Sequence, residues 1–281
     1  MAILRAFPES WRTNPRCVRS NRVRVRAMPC AGFLTRGPRD QRAKRKASGS
    51  NGPDGRTSMP TVLITGCDTG LGREFASQYA RDGWAVIATH RDLANAICGT
   101  PSIRNHALDV TDPDQFAALK RELGDEPVDL LLSNAGVGLD TGRLGSLDFD
   151  YVRRMYEVNT IGPLRLVETF ADNVAAGIQR RVAVITSRMG SIGLNLSGGH
   201  YGYRASKAGL NAMARSLAID LFGRGITMLL IHPGWVDTAG GGGGGALPVD
   251  VSVASMRGVI GRLGNHETGQ FLSYDGTPLQ W

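Results

Sequence analysis

Tyr203 and Lys207 stand four residues apart in Tyr203-Arg204-Ala205-Ser206-Lys207, a spacing that puts a phenol and an ammonium on one face of a helix. A neighbouring cation stabilises a phenolate, so Lys207 is expected to draw the Tyr203 pKa from about 10 toward neutrality. Tyr203 could then give its proton to a carbonyl oxygen while a hydride arrives at the carbon. Taken alone, the pair is equally a solvated helix face. Ser187 follows the apolar run 181–186, where its hydroxyl would emerge at a strand end and hydrogen-bond the same oxygen. Ser191 is the second candidate for that role, and Ser187 is preferred because it directly ends the run. Asn159 lies shortly before Gly162-Pro163, and Pro163 lacks the N–H that would have bonded the Asn159 carbonyl. A kink there either leaves a carbonyl free to hold a water or is a plain helix break.

A second constellation lies upstream, in Thr65-Gly66-Cys67-Asp68-Thr69-Gly70-Leu71-Gly72, between an apolar run and a helical stretch. Glycines let the chain turn tightly and let a pyrophosphate approach the helix N-terminus, whose free N–H groups favour anions. Gly66, Asp68, Thr69, Gly70, Leu71 and Gly72 are therefore candidate cofactor-binding positions, although such turns also occur without a ligand. About 20 residues further on, an acid would bind ribose hydroxyls and favour NAD, whereas a cation accommodates the NADP phosphate. The chain offers His90-Arg91, and a guanidinium suits phosphate oxygens. NADP(H) is thus preferred, with NAD(H) possible. Asp68 stands against this preference as a carboxylate that could repel the 2′-phosphate, unless it serves as a helix cap.

The elements that must position these groups follow from periodicity. Short segments at 61–65, 85–89, 103–108, 128–133, 181–186 and 226–231, with a last one near Phe271, read as strands, most of them as apolar runs. Stretches of helical period at 71–81, 113–123, 149–173, 204–222 and 251–263 alternate with them. The expected fold is α/β, a Rossmann-type doubly wound parallel sheet of about seven strands with helices on both faces. Its ligand crevice should lie at the carboxyl ends of the strands.

Composition narrows the partners. Residues 1–58 hold fourteen Lys/Arg and three acids, a net of +11, so residues 59–281 carry −3 of the chain's +8. The folded part gives no reason to propose a nucleic-acid partner. The basic segment, nearly free of large apolar side chains from Arg36 to Arg56, cannot repay its ordering entropy. It is an upstream extension of the reading frame, an organelle transit peptide or an arm for anionic partners; Met59-Pro60, just before the first strand, favours the first. The domain is therefore placed at residues 59–281, after a disordered extension. Cys17, Cys30, Cys67 and Cys98 show no CxxC spacing and suit a reducing, cytoplasmic setting, with an organelle as the alternative should residues 1–58 be a transit peptide. The five histidines show no metal-ligand spacing, and no run of about 18 apolar residues suggests a membrane span.

Taken together, these motifs resemble the short-chain dehydrogenase/reductase superfamily, and within it the C-factor and sniffer carbonyl reductases, over residues 59–281. The carriers are Thr65 to Gly72, Leu108-Asp109-Val110, Asn134-Ala135-Gly136, Asn159, Ser187, Tyr203 with Lys207, and Pro233-Gly234 with Thr238. The subfamily likeness rests on Ser187 to Gly193, Tyr201 to Lys207 and the ending Tyr274 to Trp281. The resemblance implies that Asp109 and Val110 contact the adenine, and that Asn134, with Ala135 and Gly136, borders the adenosine ribose. It implies that Lys207 binds the nicotinamide ribose, that Asn159 anchors a proton-relay water, and that Pro233, Gly234, Val236 and Thr238 border the nicotinamide. For Asp109 and Asn134, turn chemistry after a strand is the structural alternative.

Three departures from the family pattern stand out. Ser133 replaces the usual first Asn, and the spacing from Ser187 to Tyr203 is sixteen rather than thirteen. Gly240 to Gly245 form an unbroken run where the family places its substrate lid, which raises the cost of ordering it. The resemblance implies an NADP-dependent oxidoreductase acting on a small carbonyl or alcohol substrate as a homodimer or homotetramer. The rival is a catalytically idle nucleotide-binding redox sensor or signalling protein, against which the full Asn, Ser, Tyr and Lys set argues. Trp235, Met189 and Leu194 suggest an apolar substrate pocket, or ordinary core packing.

Overall fold

The computed structural model describes residues 59–139, 142–238, 244–264 and 267–281. The expectations for residues 1–58 and for Gly240 to Gly243 lie outside these. Seven strands form one parallel sheet: β1 (Thr61–Ile64), β2 (Ala85–His90), β3 (Ile103–Ala107), β4 (Leu130–Ser133), β5 (Arg181–Ile185), β6 (Thr227–His232) and β7 (Gln270–Ser273). Their order is β3-β2-β1-β4-β5-β6-β7. The chain works outward from β1 to β3 and then returns to β1's other edge as β4. That reversal opens a crevice beyond the strands' carboxyl ends.

Helices cover both faces because alternate strand residues point opposite ways and both sets are apolar. In β1, Val62 and Ile64 pack with Phe75 and Tyr79 of α1 (Gly70–Arg81) and Met256 of α6 (Val249–Arg262). Leu63 points to the opposite layer, with Phe116 of α2 (Pro113–Leu123), Phe170 of α4 (Gly162–Ala176) and Leu210 of α5 (Tyr201–Asp220). The start of α2 is dictated locally: the Asp112 carboxylate accepts from the N–H groups of Asp114 and Gln115, and Pro113 takes the first turn.

The stretch expected as one helix over 149–173 is three pieces. α3 (Phe149–Tyr156) runs into a π turn, Glu157–Ile161, and then into α4. The Gly162 N–H reaches back five residues to the Glu157 carbonyl. Pro163 has no N–H to offer, so the ladder widens rather than breaks, and Asn159 sits fully buried in the widened turn. α5 also starts three residues earlier than its periodicity indicates. Gly198, Gly199 and His200 all adopt positive φ, and this left-handed turn delivers the chain directly into Tyr201. Among the described residues no helix is long and apolar enough to cross a membrane.

Candidate functional site

A cleft of about 780 Å³ opens at the carboxyl ends of the central strands. Every site residue expected from sequence lines it except Gly72 and Asn159, which stand behind its wall. Gly72 supports the glycine loop, since a Cβ there would lie 2.1 Å from the Gly66 carbonyl oxygen. Gly66, at φ +73°, leaves equally little room, its Cβ falling 2.8 Å from Ala135 Cα. The Asn134 Nδ2 donates to the carbonyls of Thr65 and Gly66 at 3.0 and 3.1 Å, bracing the loop from β4. The N-terminus of α1 therefore meets a loop kept open by Gly66, Gly70 and Gly72, at which Thr69 provides no side-chain cap. Those features fit a dinucleotide pyrophosphate.

Asp68 is not the helix cap that sequence allowed. Its two carboxylate oxygens accept the backbone N–H groups of Arg91 and Asp92, each at 3.1 Å. Desolvation opposes ionisation there, but these N–H groups outweigh it and hold the carboxyl below its usual pKa. Arg73 completes the brace, donating to the carbonyls of Asp68 and Asn95. Arg91 is thus seated on a fixed turn at the cleft wall. At the same end Asp109 accepts from the Thr111 N–H and hydroxyl at 2.9 and 2.7 Å and pairs with Arg154 at 3.2 Å. Against desolvation, these partners keep the Asp109 carboxyl ionised below the usual range.

At the other end, Ser187 and the Tyr203 hydroxyl share a side-chain hydrogen bond. The Met189 N–H donates to the Ser187 Oγ at 3.1 Å, which fixes that hydroxyl at the start of a short 3₁₀ turn, Arg188–Gly190. Ser191 is committed elsewhere: its hydroxyl donates to the Trp281 carbonyl at 3.0 Å and accepts from the Leu194 N–H at 3.1 Å. Lys207 is buried, with Nζ donating to the Ile185 carbonyl at 3.1 Å and lying 5.9 Å from the Tyr203 ring centre. Asn159 braces the cleft wall from behind, its amide exchanging hydrogen bonds with the Val137 backbone and donating to the Ser206 hydroxyl.

The pKa expectation for Tyr203 is corrected by this geometry. Burial pushes the phenol up, and the Ser187 hydrogen bond only partly offsets it. Burial also lowers the Lys207 ammonium from 10.5 to about 8. Desolvation outweighs the pairing that the spacing suggested.

Pro233, Val236 and Thr238 lie on the loop after β6 and line the cleft, and Thr238 approaches the glycine loop, where a Cβ on Gly70 would contact its methyl at 3.6 Å. Gly234 is required there, at φ +87° with Leu247 within 2.8 Å of a Cβ. Met189 and the exposed Trp235 line the cleft, whereas Leu194 does not. Sequence reasoning missed Arg154, Arg188 and His232, all on the cleft wall. Arg188 and His232 directly adjoin Ser187 and Pro233, which was the available signal. Chemically, the site offers a phenol, a hydroxyl and an ammonium converging beside an anion-binding helix end.

A family model described as short chain dehydrogenase matches residues 60–242. C-signal of Myxococcus xanthus is 43% identical over 155 residues, 55% of this chain and 93% of that protein. The carbonyl reductase Sniffer of D. melanogaster is similar in structure with a TM-score of 0.72 at 29% identity, over 80% of this chain and 100% of that one. A short-chain dehydrogenase/reductase of Burkholderia multivorans with bound NADP has a TM-score of 0.71 at 32% identity, over 80% of this chain and 100% of that one.

Proposed function

Since this chain belongs to the short-chain dehydrogenase family and is an oxidoreductase, we propose that it reduces a small carbonyl compound with NADPH or oxidises the matching alcohol with NADP. The observation that carries this reading is the convergence of Ser187, Tyr203 and Lys207 on one cleft with the glycine loop. A bound nicotinamide supplies the hydride at the substrate carbon. Tyr203 gives its phenolic proton to the substrate oxygen, and the Ser187 hydroxyl holds that oxygen in line. Lys207, which donates to the Ile185 carbonyl, would also hold a nicotinamide ribose hydroxyl and keeps a positive charge beside the phenol. Asn159, buried in the π turn and bracing Val137 against α5, is assigned to anchoring a proton-relay water.

Arg91 is assigned to the 2′-phosphate, and the Asp68 carboxylate, already occupied by two N–H groups, is its support rather than its competitor. Asp109, Val110, Asn134, Ala135 and Gly136 seat the adenosine. Pro233, Gly234, Val236 and Thr238 flank the nicotinamide, and the enzyme works as a homodimer or homotetramer. The NADP held by the Burkholderia multivorans neighbour supports this preference. The test is nicotinamide absorbance during incubation with a panel of aldehydes, ketones and quinones, run with NADPH and NADH in parallel. Consumption of NADPH with at least one carbonyl is expected. Tight NADPH binding without turnover of any compound would favour the idle sensor instead.

A further inference from the structure

Resting on that oxidoreductase reading, we propose that the substrate carries an anionic group, a carboxylate or phosphate, and that Arg188 binds it. Four cations line the cleft: Arg91, Arg154, Arg188 and Lys207. Lys207 is committed to the Ile185 carbonyl and the reacting end, Arg154 pairs with Asp109, and Arg91 sits on the turn after β2. Among the described residues neither the Arg91 nor the Arg188 guanidinium has an ion pair or a side-chain hydrogen bond, and with Arg91 assigned to the cofactor phosphate, Arg188 is the uncommitted cation next to Ser187. It follows Ser187 immediately and is exposed. Its backbone is nonetheless fixed, because the 3₁₀ turn presses Gly190 so close to α5 that a Cβ would lie 2.7 Å from the Lys207 carbonyl carbon.

The neighbouring wall is polar and equally uncommitted. His232 lines the cleft within electrostatic reach of Arg188, and its buried Nδ1 has no hydrogen-bond partner among the described residues. Burial, with Arg188's charge beside it, lowers its pKa to about 4, so the imidazole stays neutral and Arg188 is the local cation. Asp275, the acid whose charge acts on His232, accepts the Thr277 N–H with its Oδ1 and forms no ion pair with Arg188 among the described residues. A free guanidinium beside the reacting hydroxyls, backed by a neutral polar ring, selects a carboxylate or phosphate through paired hydrogen bonds to two of its oxygens.

The experiment compares para-carboxybenzaldehyde with its methyl ester at saturating NADPH, for the wild type, Arg188→Ala and Arg188→Glu. The wild type should favour the acid in kcat/KM by about ten- to a hundredfold, the range of a hydrogen bond to a charged group. Arg188→Ala should erase that preference by raising KM for the acid, leaving the ester and the KM for NADPH unchanged; Arg188→Glu should reverse it. Added salt should shrink the wild-type ratio. An ester used as well as the acid by the wild type, or equal losses on both in Arg188→Ala, overturns the inference alone. Turnover of neither aldehyde while uncharged carbonyls of the panel consume NADPH overturns the inference alone, whereas no NADPH consumption with any carbonyl compound overturns the proposed function and the inference with it.

Discussion

Lys207→Met should make the cofactor-free protein more stable while disabling it. The ammonium is buried and its pKa falls from 10.5 to about 8, which at about 1.4 kcal/mol per pKa unit is about 3 kcal/mol of desolvation carried by the fold. Methionine keeps the unbranched stem and removes the charge. It also removes the bond to the Ile185 carbonyl, a loss of about 1 kcal/mol. The net gain is about 2 kcal/mol, and at about 2–4 °C per kcal/mol for a domain of this size Tm should rise by about 4–8 °C. The pH dependence is fixed in sign. A depressed folded pKa means that the lysine's handicap is complete below about pH 8, fades from there to 10.5, and is gone above, where the lysine is neutral in both states. Cys67 and Tyr79, raised by burial to about 12, are common to both proteins and cancel in the difference. Thermal melts of the two proteins across this range, without cofactor, are the assay. An unchanged or lower Tm for Lys207→Met at neutral pH, or a difference that does not shrink on the alkaline side, would refute the reasoning.

The remaining predictions concern the cofactor and the two serines. Gly72→Ala places a Cβ 2.1 Å from the Gly66 oxygen and should abolish NADPH binding, measured by nicotinamide fluorescence, together with a loss of melting temperature. Ser187→Ala should lower kcat by about tenfold or more, whereas Ser191→Ala, which loses only its bonds to Trp281 and Leu194, should change it little. Reversed magnitudes would reassign the serine. Arg91→Asp should move the kcat/KM ratio toward NADH, and an unchanged ratio would mean that Arg91 does not read the phosphate.

The sheet was legible because a parallel strand buried on both faces must be apolar throughout, as in β1 and β4, and the chain punctuates such runs with turns. α2 was legible to the residue because Asp112, Pro113 and Gly124 mark its ends chemically. The π turn was visible only as a break at Pro163, since nothing local says whether a missing N–H widens or ends a helix. The site's residue types were readable from spacing, but their commitments were not. Asp68 bonding across to the turn at Arg91, Ser191 bonding to Trp281 and Arg154 pairing with Asp109 all join residues far apart in sequence. The Tyr203 pKa was misread for the same reason: four-residue spacing shows a charge nearby, while burial depends on the whole fold.

Tyr203 is proposed as the proton donor at a nicotinamide site. The most direct test of that role is Tyr203→Phe, with turnover followed by NADPH absorbance and cofactor affinity by fluorescence on the same preparations. The ring still fills its place, so affinity should stay near wild type while kcat falls about 100-fold or more. Turnover above about a tenth of wild type with intact cofactor binding would contradict the claim, because proton transfer at that rate would have to come from another group.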